Sequence, residues 1–89
     1  MSRWRKKRVV VEAWQFLRPT DCEQIPPWID PAWFHGTPGG AHHSARYMRI
    51  PAPGGTLRAD YTDWIIRGVN GEVYPCQADV FSATYERVG

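Results

Sequence analysis

Arg67 and Tyr74 are the side chains of this sequence best placed to do binding chemistry, because they flank a turn that sets them side by side. Between them lies Asn70-Gly71, a dipeptide that accepts positive φ at both central positions of a type I′ turn. A two-residue loop there predicts a register in which Val69 meets Glu72, Gly68 meets Val73, Arg67 meets Tyr74, Ile66 meets Pro75 and Ile65 meets Cys76. An arginine beside a ring can grip a phosphate while the ring stacks on a base, and neither task requires catalysis. Trp28 or Trp33 would add a further ring. Arg67, Tyr74, Trp28 and Trp33 are therefore the candidate ligand-binding residues. The competing role for Arg67 is a surface pair with Glu72, its diagonal neighbour in this register.

The second candidate set is a basic arm. Arg3, Arg5, Lys6, Lys7 and Arg8 place five of the eleven basic residues within the first eight positions, so the remaining chain, with nine acidic residues, is mildly acidic. Such an arm can contact nucleic-acid phosphates or an acidic partner, or serve only as a solubilising tail before an edge strand.

Catalytic constellations are weak by comparison. Cys76 is the best nucleophile by type, yet its only possible base partners are histidines in a distant loop. Glu12, Asp60, Asp63, Glu72 and Asp79 are not forced into any pair by spacing, and Asp63 suits a turn-capping role. His35, His42 and His43 match no recognised metal-ligand spacing with the remote Cys22 and Cys76. The glycine pairs after Pro38 and Pro53 are turn chemistry, not a phosphate loop. No cofactor, metal site or catalytic residue is assigned, and the chain reads as a non-enzyme.

These residues need elements to hold them. On the predicted hairpin, alternation gives Trp64, Ile66, Gly68, Val73 and Pro75 one apolar face, expected as core, and Ile65, Arg67, Val69, Glu72, Tyr74 and Cys76 the other. Val9 to Phe16 reads as a first strand, followed by a short helix capped at Thr20 and stopped by Pro26-Pro27. Trp28 and Trp33 then sit in a proline-punctuated stretch, either plugging the open end of a small sheet or offering a stacking platform. His35 to Ala45 reads as a loop. Arg46 to Ile50 reads as an edge strand with Tyr47 and Arg49 on one face, and Arg46, Met48 and Ile50 on the other. Thr56 to Tyr61 is a third short strand after the Pro53-Gly54-Gly55 turn. After the hairpin come one or two helical turns over Gln77 to Ser82, with Val80 and Phe81 inward, and a closing strand over Thr84 to Val88.

The expected fold is a small α+β domain: a curved antiparallel sheet, open or closing partly into a barrel, with one or two short helices. Residues 1–8 form the arm and residues 9–89 a single domain. A content of 13% aromatic residues, five of them Trp, suits so short a chain, because each ring buries a large area. No run approaches a membrane span, and no apolar segment follows the basic start as a secretory signal requires, so the expected location is cytoplasmic. Two distant cysteines there are expected as free thiols.

The opening Arg5-Lys6-Lys7-Arg8-Val9-Val10-Val11-Glu12-Ala13-Trp14-Gln15-Phe16, and the later run from Asp63 to Tyr85, resemble a family of small, mostly uncharacterised proteins of tailed bacteriophages and prophages. Together the two stretches cover about 35 of 89 residues in the family's order. The chain departs from that pattern at Arg8, where proline is usual, and at Thr62 and Ala78, where glycine and proline are usual. Tyr74-Pro75, Asp79-Val80-Phe81, Ala83 and Tyr85-Glu86 are also similar to the end of small phage proteins that sequester nucleotide signals of host defence. The resemblance implies an accessory protein acting in the host cytoplasm, by binding a host protein or a nucleotide-like small molecule in host takeover or defence evasion. The alternative is nucleic-acid binding through the basic arm; a virion component ranks below both. No membrane partner is expected.

Overall fold

Ala52-Pro53-Gly54-Gly55 sets the frame of one half of the molecule. Pro53-Gly54 is a two-residue loop that pairs Ala52 with Gly55, and the register runs from there to Tyr47 opposite Asp60. The computed structural model describes residues 2, 3, 9–17, 25–36 and 45–88. Within them lie β1 (Glu12–Gln15), β2 (Phe34–His35), β3 (Tyr47–Ala52), β4 (Gly55–Asp60), β5 (Trp64–Arg67), β6 (Val73–Cys76) and the helix α1 (Ala78–Thr84). They form two antiparallel three-stranded sheets, ordered β1-β5-β6 and β2-β3-β4. The fold is thus small and α+β, with two sheets in place of one curved sheet, and the described strands do not close into a barrel.

The two sheets meet across a common core. Ile65 enters from the first, Phe34, Met48, Ile50 and Ala59 from the second, Phe16 from just past the end of β1, and Ile29 and Ala45 from the connecting segments. Phe16 is the hub, with ring centroids 5.9 Å from Phe34, 5.1 Å from Tyr61 and 6.1 Å from Trp14. Its N–H donates to the Asp63 carbonyl (2.9 Å), and its own carbonyl accepts from Thr62 N–H (2.8 Å), which ties β1 to the turn before β5. Tyr61 donates its hydroxyl to the Ala45 carbonyl.

The hairpin exists, but its register differs by one residue from the expected one. Arg67 meets Val73, Ile66 meets Tyr74, Ile65 meets Pro75 and Trp64 meets Cys76. The loop is three residues long: Gly71 N–H donates to Gly68 O (3.0 Å), and Gly68 N–H donates to Glu72 O (2.8 Å). Gly71 alone takes the left-handed position, at φ 81°, whereas a type I′ turn would need Asn70 there too. This is a type I turn closed by a glycine bulge. Because side chains alternate, the shift turns β6 over relative to β5. Ile65, Arg67, Val73 and Pro75 now share one face, and Ile65 and Val73 pack in the intersheet core. Trp64, Ile66, Tyr74 and Cys76 share the other, where the Trp64 ring stacks on Phe81 of α1 at 4.2 Å.

Other expectations shift for local reasons. The first strand is shorter than Val9–Phe16, because its partner β5 ends at Arg67 opposite Glu12; Val9 and Val10 are left 50% and 73% exposed. β3 is a middle strand, not an edge, although β2 covers only Tyr47 and Met48 and leaves Pro51 beyond its reach. Its faces are as expected, with Met48 and Ile50 buried. In α1, Phe81 and Tyr85 stack at 4.9 Å on one side, so Val80 rotates outward instead of inward. The closing strand over Thr84 to Val88 is absent, since Thr84 ends the helix and Tyr85 is drawn against Phe81 and Tyr74. The helix expected from Thr20 lies outside the described residues.

Candidate functional site

The register separates Arg67 from Tyr74, the pair expected to lie side by side. Arg67 and Tyr74 point to opposite faces of the β5–β6 pair. Arg67 Nη1 lies 3.8 Å from Glu12 Oε1, across β1, so its ion-pair partner is not Glu72. Glu72 instead folds back over Gly68 and accepts the Asn70 N–H at 3.0 Å, bracing the turn. The Tyr74 hydroxyl meets that of Tyr85 at 3.4 Å. That contact, and then burial, push the Tyr74 pKa up to about 12. Trp28 and Trp33 are half-buried against the core. Trp33 closes a 3₁₀ turn (Pro31–Trp33) started by Asp30, whose Oδ1 accepts Ala32 N–H at 2.9 Å.

Of the arm, Arg3 is exposed; Arg5, Lys6, Lys7 and Arg8 lie outside the described residues, as do His42, His43 and Cys22. Among the described residues no group of three or more His, Cys, Asp or Glu is placed to hold a metal. Burial pushes the Cys76 thiol pKa up, with Asp63 and Asp79 adding to the shift, which is opposite to what an activated nucleophile needs.

A different cluster emerges on the outer face of β2, β3 and β4. Burying Met48 and Ile50 turns Tyr47 and Arg49 outward, and the Pro53-Gly54 loop then sets Arg49 directly opposite Arg58. The Arg58 guanidinium carbon stands 4.4 Å from the Tyr47 ring centroid, while Nε donates to Asp60 Oδ1 at 3.0 Å. Tyr47 is itself stacked on His35 of β2, at 5.7 Å and 17° between planes. Ring and carboxylate together fix the orientation of Arg58. Arg49 has no carboxylate partner among the described residues. Tyr47, Arg49, Thr56 and Arg58 line a hollow of about 220 Å³.

Like charges directly opposed across two strands disfavour the pairing, and an anion reached by both side chains would relieve that cost. Their planar forks match the oxygens of phosphate better than a single ammonium would. Alternation alone does not bring this pair together; the two-residue loop at Pro53-Gly54 does, because it pairs 52 with 55 and therefore 49 with 58.

A wider cleft of about 520 Å³ opens where the two sheet halves end, between Trp33, Pro51 and Pro53 on one side and the Asn70-Gly71 turn and Val73 on the other. Pro51 is paired directly with Thr56, which lines the arginine hollow. No helix among the described residues is long and apolar enough to cross a membrane. No family model, no curated protein and no solved structure matches the chain.

Proposed function

We propose that this protein is a non-enzymatic binding module that holds a phosphate-bearing small molecule on the outer face of β3 and β4. The observation that carries this reading is the direct opposition of Arg49 and Arg58, with Arg58 oriented by Tyr47 and Asp60 and Arg49 without a carboxylate partner among the described residues. A cross-strand pair of like charges costs stability, and an anion bridging both guanidinium groups offsets that cost. The resemblance to small phage and prophage proteins supports a setting in the host cytoplasm, where a nucleotide-like ligand or a host factor carrying an exposed phosphate would be the target.

Calorimetric titration with inorganic pyrophosphate and with nucleoside mono- and diphosphates, at low salt, tests it. Binding with a dissociation constant below about 1 mM is expected. Its absence for every one of these ligands overturns the reading.

A further inference from the structure

We propose that the outer edge of β1 pairs with the same edge of a second copy of this chain, antiparallel and centred on Val10, joining two three-stranded sheets edge to edge.

β1 is the outermost strand of its sheet among the described residues. Both backbone groups of Phe16 point inward, one to Asp63 O and the other to Thr62 N–H. These groups alternate in direction along a strand, so those of Trp14 and Glu12 also point to β5. Those of Gln15, Ala13 and Val11 point away from it, and Val9 continues the outward series. Because β5 ends at Arg67, opposite Glu12, Val9 and Val10 run on past the sheet and are 50% and 73% exposed. An unpaired edge led by three consecutive valines is a template for another strand.

The sequence of this edge selects a second copy as that strand. Two identical edges related by a two-fold axis must set outward-pointing residues opposite one another, so the axis passes through a residue and its own copy. Centred on Val10, Val9 of one copy meets Val11 of the other as a hydrogen-bonded pair. Val10 meets Val10, and Arg8 meets Glu12 twice, as pairs of the closer, non-hydrogen-bonded kind. A centre at Val9 sets Val10 against Arg8 and Val11 against Lys7, and a centre at Val11 sets Val10 against Glu12. Only the Val10 centre matches apolar with apolar and cation with anion over positions 8–12. Glu12 is open to a second cation, since its side chain is 65% exposed and stands 3.8 Å from Arg67.

Sedimentation equilibrium over a range of protein concentrations tests the pairing. The wild type should dimerise with a dissociation constant below about 1 mM. Val9→Pro removes one outward N–H from each copy and touches no hydrogen bond among the described residues, so it should weaken dimerisation about tenfold or more. Arg8→Glu and Glu12→Arg each oppose like charges and should be monomeric alone. Mixed in equal amounts, the two variants regain both ion pairs and should form a heterodimer. A wild type that stays monomeric, a dimer indifferent to Val9→Pro, or a mixture that associates no better than its components overturns the proposal. Arg49 and Arg58 lie on the other sheet, so none of these outcomes bears on phosphate binding.

Discussion

Arg49 and Arg58 face each other across β3 and β4, and Asp60 is bound to Arg58 at 3.0 Å. Like charges directly opposite one another disfavour a sheet. Arg49→Thr should raise stability by about 0.2–1 kcal/mol, the usual size of a cross-strand pair effect, while removing phosphate binding. The gain is read as a higher urea midpoint at unchanged slope, and it should shrink as salt screens the two charges. A lower midpoint would mean that the Arg49 stem stabilises the sheet more than its charge disturbs it.

Thr62 is held at φ 73°, in the left-handed region that a β-branched residue avoids. Its backbone is fixed there by two bonds: its N–H donates to Phe16 O at 2.8 Å, and its carbonyl accepts Gln15 Nε2 at 3.0 Å. Glycine keeps both bonds without the steric cost. The left-handed conformation costs an L-residue roughly 1–2 kcal/mol, and glycine loses roughly 0.5–1 kcal/mol of that in chain entropy. Thr62→Gly should therefore stabilise by about 0.5–1 kcal/mol in chemical denaturation. A destabilised variant would contradict the conformation of this turn.

Gly68 leaves room for the Glu72 side chain. A Cβ at Gly68 would sit 1.9 Å from Glu72 Oε1, so Gly68→Ala must swing the carboxylate away from the Asn70 N–H. The expected loss is about 0.5–1.5 kcal/mol, one hydrogen bond, because Glu72 is flexible and exposed. Gly68→Ala and Glu72→Ala should cost less together than the sum of the two alone, since each removes the same contact. Strict additivity would rule out the brace.

This turn also marks how far the sequence could be read. Asn70-Gly71 between β-branched runs makes the hairpin legible, but either a two-residue or a three-residue loop places Gly71 at positive φ. The choice rests on whether Asn70 joins it and on the space that Gly68 leaves for Glu72, and both depend on side-chain packing around the turn. One residue of slip separated Arg67 from Tyr74 and dissolved the site expected there. In β3, alternation showed correctly that Tyr47 and Arg49 share an outer face, yet only the strand register brought Arg58 to join them. The tail after α1 resembled a strand in composition, but Tyr85 is engaged by Phe81 and Tyr74.

The Tyr74–Tyr85 contact predicts a pH dependence. The Tyr74 pKa is raised from 10.0 to about 12, so the folded state keeps its proton where the unfolded chain has lost it. The resulting stabilisation is fully present below pH 10 and disappears as the pH rises through about 12. The stability difference between wild type and Tyr74→Phe should be constant below that window and decline within it. In ultraviolet titration, Tyr85→Phe should bring one late-titrating tyrosine down toward the ordinary value. A Tyr74 that ionises normally in the wild type would remove the contact from the account.

The most direct test of the binding face is a calorimetric titration of pyrophosphate into four proteins: wild type, Arg49→Ala, Arg58→Ala and Arg67→Ala. Arg67 serves as the control, since it is on the other sheet and paired with Glu12 at 3.8 Å. The account predicts that Arg49→Ala and Arg58→Ala each weaken binding at least tenfold, or about 1.4 kcal/mol, while Arg67→Ala leaves it unchanged. Loss of binding in Arg67→Ala, with Arg49→Ala and Arg58→Ala intact, would contradict it and return the site to the hairpin.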